Sequence, residues 1–139
     1  MDRTSARGLA RLAADFAEAG QLVADSKSNK PFEPAYFMFG HAIELALKAF
    51  LRSKGTGIDE LKSIGHDLEK LLTVAQSRGL SAEIPLDQAD IAVVQLVNPM
   101  YRTKGFEYIT AGSGSWPPLQ DVGSMASRIT SFVAPLCGL

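Results

Sequence analysis

The side chains best equipped for chemistry sit in one run, GHAIELALKAFLRSKG (Gly40 to Gly55). In an otherwise apolar segment it carries His41, Glu44, Lys48 and Arg52. At about 100° per residue these four fall within about 80° of arc on one helix face. His41, Glu44 and Lys48 offer a titratable imidazole, a carboxylate and an ammonium, the parts of an acid–base or ligand-binding site. Glu44 followed by Lys48 is also the favourable order of an ordinary helix ion pair, worth about 0.2–0.5 kcal/mol. On sequence, the stripe is either a site or the solvent-facing edge of a central helix.

His66 and Asp67 make a second polar pair in IGHDLEKLL. In a helical hairpin His66 can lie beside the first stripe, and two His with Glu44 and Asp67 are a conceivable metal set. A di-metal bundle site needs several carboxylates on four helices, whereas His-x-x-Glu occurs once here, so no metal or other cofactor is expected. Tyr101, Arg102, Lys104, Phe106 and Tyr108 interleave cations with aromatics, a composition that stacks bases and meets phosphates. The plainer alternative is a set of aromatics anchoring a long loop. Tyr101, Arg102, Lys104 and Tyr108 are therefore the nucleotide- or RNA-binding candidates. His41, Glu44, Lys48, His66 and Asp67 form a polar stripe of structural or binding role, and no catalytic residue is assigned. AGSGSWPP lacks the Lys-Ser/Thr end and preceding strand of a phosphate loop.

The elements that must position these groups read as helices. Leu9, Leu12, Ala13, Phe16, Gly20 and Val23 recur at helical spacing over about residues 5–25, with Thr4 or Ser5 to cap. The polar run DSKSNK breaks that period. Pro34 suits the first turn of a second helix that reaches about Lys54 and is apolar on nearly all sides, so it belongs at the centre of a bundle. Gly55 and Gly57 end it.

After a loop, HDLEKLLTVAQSRGL gives a third helix, closed by a left-handed cap at Gly79 with Leu80 packed over it. Asp87 caps a fourth helix that Pro99 stops. Its centre, IAVVQLV, is β-branched enough to read as a strand, but an isolated strand has no partner here. TKGFEYITAGSGSWPP is a long glycine-rich loop. Leu119 through Val133 supply a closing helix, ended by Pro135. The expectation is an all-α, single-domain bundle of about five helices spanning the chain.

Composition sets the bounds. The 139 residues, 46 % hydrophobic and 21 % charged, fit one soluble domain. Such a chain buries about two-thirds of its unfolded surface. A net charge of −1 argues against a broadly basic nucleic-acid platform while leaving room for a local patch. A lone Cys137 cannot form an internal disulfide, and no apolar run approaches the length of a membrane helix. Asp15 and Glu18 interrupt any signal-peptide core. A cytoplasmic location without membrane attachment is expected.

FGHAIELALKAFLRSKG followed by IGHDLEKLLTVAQSRGL resembles the HEPN domain, a helical bundle of prokaryotic toxin–antitoxin and defence systems. The resemblance is carried by His41, Glu44, Leu45, Leu47 and Lys48, then His66, Asp67, Leu68, Leu71 and Leu72, and covers residues 36–80 best. Asn98, Tyr101 and FEYI also resemble a family stretch, although Glu107 stands where an Arg is frequent. The resemblance implies a homodimer that binds nucleotides or RNA, with a nucleotidyltransferase-type antitoxin or another protein as partner. In many members it also implies metal-independent RNase activity, resting on an Arg-x(4-6)-His motif. No Arg stands at that spacing before His41 or His66, the only histidines. The expectation is a non-catalytic HEPN-like binding module. The alternatives are a divergent RNase using His41 or His66, and a structural protein-interaction bundle.

Overall fold

In a computed structural model, residues 4–26, 33–102 and 117–139 are described, and every regular element among them is helical. The helices are α1 (Ala6–Ser26), α2 (Glu33–Ser53), α3 (Ile58–Ile64), α4 (Leu68–Ser77), α5 (Leu80–Glu83), α6 (Gln88–Arg102) and α7 (Leu119–Leu136). The all-α expectation holds, but with seven helices among the described residues rather than about five. The two extra ones, α3 and α5, are short. Their seven and four residues are too few to show a helical period, so they read as loop.

α2 is the centre. Thirteen of its 21 residues are buried, so it must be covered on almost every side. α1 and α7 pack along one flank, α4 and α6 along the other. The fully buried line of α1 is Gly8, Ala10, Ala13, Ala17 and Gly20, while the larger Leu9, Leu12 and Phe16 are only partly covered. Small residues on that line let the two backbones approach closely. A Cβ on Gly20 would lie 2.7 Å from the Phe39 ring.

Local chemistry sets the helix ends. The Ser5 hydroxyl accepts from the Gly8 amide at 3.0 Å, capping α1. α2 closes on Gly55 at φ 91°, with Thr56 N–H donating to Leu51 and Gly55 N–H to Arg52, a complete Schellman motif. Gly79 takes φ 97°, and Leu80 behind it is buried. Asp87 and Asp90 cap α6 reciprocally: each carboxylate accepts the other's amide, at 2.9 and 3.0 Å. Asp90 also takes a forked contact from Arg128, at 2.9 and 2.6 Å, tying α6 to α7.

Two proline boundaries differ from the sequence expectation: α7 runs one residue past Pro135, to Leu136, and α6 runs past Pro99. Pro99 does not stop α6, which continues to Arg102. Proline removes only one helical hydrogen bond, and the turn around it is held from outside. Asn98 is bonded to the start of α4, and Tyr101 to α2. IAVVQLV is helical, with Val93, Val94 and Val97 turned into the core.

Candidate functional site

Glu44 is the organising group. It sits mid-way along α2 at 2 % exposure, where a bare carboxylate would be very unfavourable. Three elements bring donors to it. Lys48, one turn on, places Nζ 2.6 Å from Oε2. His66, in the turn before α4, places Nδ1 at 2.9 and 3.0 Å from the two oxygens. Tyr101, in the last turn of α6, donates its hydroxyl to Oε1 at 2.6 Å. His41 joins at one remove, its Nδ1 2.8 Å from the Tyr101 hydroxyl and 3.9 Å from Glu44.

The Tyr101 ring reaches α2 because Gly40 leaves room. A Cβ there would lie 2.7 Å from the ring. Around His41 the aromatic packing is close: Phe16 of α1 meets it edge-on at 4.5 Å, and Phe37 lies parallel at 6.0 Å. Phe37 is 42 % exposed, His41 26 % and His66 61 %, so the network runs from a buried carboxylate to an aromatic and imidazole rim at the surface.

The electrostatics follow from the donors. Burial alone would raise the Glu44 pKa, but hydrogen bonds from Lys48, Tyr101 and His66 outweigh it and hold the carboxyl below its ordinary value. Burial, reinforced by the adjacent Glu44 charge, pushes the Tyr101 phenol far up, so it stays a proton donor. Burial lowers the His41 pKa, with Lys48 and His66 adding to the effect and Glu44 opposing it.

The structure sorts the sequence candidates. His41, Glu44, Lys48 and His66 meet in one cluster. Arg52, on the same stripe, does not join them: it donates to the Thr4 and Thr56 carbonyls, stitching α1 to the turn after α2. Asp67 is a cap, accepting from the Lys70 amide at 3.1 Å and from Asn98 at 3.0 Å, while Asn98 Oδ1 accepts from Leu68 N–H at 2.6 Å. Tyr101 is buried as part of the Glu44 network rather than standing out as a stacking face. Lys104 and Tyr108 lie outside the described residues, as does the side chain of Arg102.

Sequence reasoning missed Phe16, Phe37 and Gly40. The spacing of Phe37 and His41, one helical turn, was a usable signal for the first pair. Nothing local announced that Gly40 seats a ring from residue 101.

Other features offer less chemistry. A cleft of about 490 Å³ between α1, α2 and α7 has Phe39 and Gly123 among its walls. Asp25, also lining it, is already bonded to Gln21 at 2.8 Å. Cys137 is buried, directs its thiol at the Ala49 carbonyl, and has its pKa raised by burial. Among the described residues no group of three or more His, Cys, Asp or Glu converges on a metal position, and no helix is long and apolar enough to cross a membrane. Compared with known proteins, the chain matches no family model, no curated protein and no solved structure.

Proposed function

We propose that this chain is a non-catalytic HEPN-like module that binds a nucleotide or RNA, working as a homodimer in a toxin–antitoxin or defence setting. The observation that carries the reading is the Phe37–His41 stack. A half-exposed phenyl ring lies parallel to an imidazole, on the helix that also presents Lys48 and beside His66. A partly exposed aromatic ring next to groups able to carry positive charge is what a base and its phosphate require. The stacking role falls to Phe37, because the Tyr101 ring is enclosed against Gly40.

The positions behind the HEPN resemblance support it by behaving as a unit. Leu45, Leu47, Leu68, Leu71 and Leu72 are core, and His41, Glu44, Lys48 and His66 share one network. The divergent RNase alternative has an oriented imidazole in its favour and lacks the family's Arg-x(4-6)-His.

Titration of a short single-stranded RNA into the protein and into Phe37→Ala tests the reading. Loss of one stacked base costs about 1–3 kcal/mol, so binding should weaken roughly 5- to 150-fold. Equal affinity, or no binding to either protein, refutes it.

A further inference from the structure

Proton accounting in the Glu44 network assigns the tautomer of both histidines. Tyr101 has one hydroxyl proton, and it is committed to Glu44 Oε1. Its oxygen can therefore only accept from His41, which makes His41 the Nδ1–H tautomer. His66 presents Nδ1 to both oxygens of an ionised carboxylate, so it too carries its proton on Nδ1. One buried carboxylate thus fixes both rings, one directly and one through a phenol. Nε2 of each ring finds no partner among the described residues, and in a neutral Nδ1–H ring it is a bare lone pair.

This arrangement bears on how an anion could bind. Lys48 and Glu44 cancel, so a neutral His41 adds no charge to the pair. A phosphate oxygen approaching Nε2 of His41 then meets a lone pair instead of a donor. Proton uptake at Nε2 reverses both features at once, adding a positive charge and an N–H aimed away from Glu44. Resting on the nucleotide-binding reading above, we propose that this rim is a proton-coupled anion site, in which a phosphate-bearing ligand binds together with a proton taken from solvent onto Nε2 of His41.

The surroundings are consistent with that coupling. Among the described residues, the charged and titratable groups facing His41 are Glu44 and Lys48 from α2, His66 from the turn before α4, and Tyr101 from α6; α1 contributes the uncharged Phe16. Asp67 is occupied at the α4 cap. Burial holds the His41 pKa below its ordinary value, and an anion placed beside Nε2 favours proton uptake there.

The test uses a dinucleotide phosphodiester, whose own charge is constant across the range, and isothermal titration in two buffers of different ionisation heat. Between about pH 8 and about pH 5.5, the interval in which imidazoles change charge, affinity should rise at least tenfold, with net proton uptake on binding. His41→Asn keeps an amide donor near the Nδ1 position but has no ring nitrogen at Nε2. A melting curve checks its fold, and the substitution should abolish the proton uptake on binding; uptake unchanged in this variant overturns the coupling at His41. Binding without proton uptake and with the same affinity at both pH values overturns the coupling and leaves the nucleotide-binding reading standing. Absence of binding at either pH overturns both.

Discussion

Replacing Glu44 by Gln removes one charge and almost no volume, so it isolates what the buried carboxylate does. Gln retains one acceptor oxygen, which can satisfy the Tyr101 hydroxyl. Its amide then faces Lys48, a donor in the native arrangement, while His66 keeps only its contact with Oε1. The Lys48 bond to a charged group is lost, worth about 1.5–3 kcal/mol, and the Tyr101 and His66 bonds now meet a neutral acceptor. Lys48 at 14 % and His66 at 61 % exposure recover part of that from water. The expected net loss is about 2–3 kcal/mol, or a melting temperature lower by roughly 6–12 °C for a chain of this length.

The effect has a pH signature. The folded carboxyl lies below its ordinary value of 4.5. Its stabilisation is therefore complete above that value and is lost as pH falls through the lower folded one. His41, lowered from 6.5, acts with the same sign, its contribution present above 6.5 and lost on acidification. Wild-type and Glu44→Gln melting curves should accordingly differ most near neutrality and converge in acid. A neutral-pH difference within about 2 °C, or a gap that persists undiminished in strong acid, refutes the reasoning.

Two further outcomes are expected. Gly40→Ala should cost about 1–3 kcal/mol in thermal or urea unfolding, because the new Cβ would lie 2.7 Å from an aromatic ring held on both sides; an unaffected midpoint would show that Tyr101 can move at little cost. Sedimentation at tens of micromolar, roughly where a useful dimer populates, should show self-association; monomer alone would count against the homodimer in the proposal.

Much of the architecture was written locally. Helical periodicity located α1, α2, α4, α6 and α7, and Ser5, Gly55, Gly79 and Asp87 marked ends that the structure uses. These signals are legible because capping and left-handed glycine depend on neighbours within one turn. The all-round apolarity of α2 likewise implied its central place, since an unpartnered apolar face is unstable in water. The His41–Glu44–Lys48 spacing disclosed a shared face, although not whether that face was wet or dry.

Tertiary structure decided the rest. Whether Glu44 is exposed or buried depends on α4 and α6 closing over α2, which no local pattern encodes. Tyr101 reaches Glu44 across 57 residues, and Asn98 reaches Leu68 across 30. Those contacts also carry α6 past Pro99, because external bonds offset the one that proline removes. Arg52 and Lys48 share a stripe by sequence, yet Arg52 turns to the Thr4 and Thr56 carbonyls while Lys48 joins the carboxylate. The sequence alone determined a bundle and the face on which its polar groups lie. Long-range packing made one carboxylate the buried centre of that face, because only there do donors from three separate elements offset its desolvation.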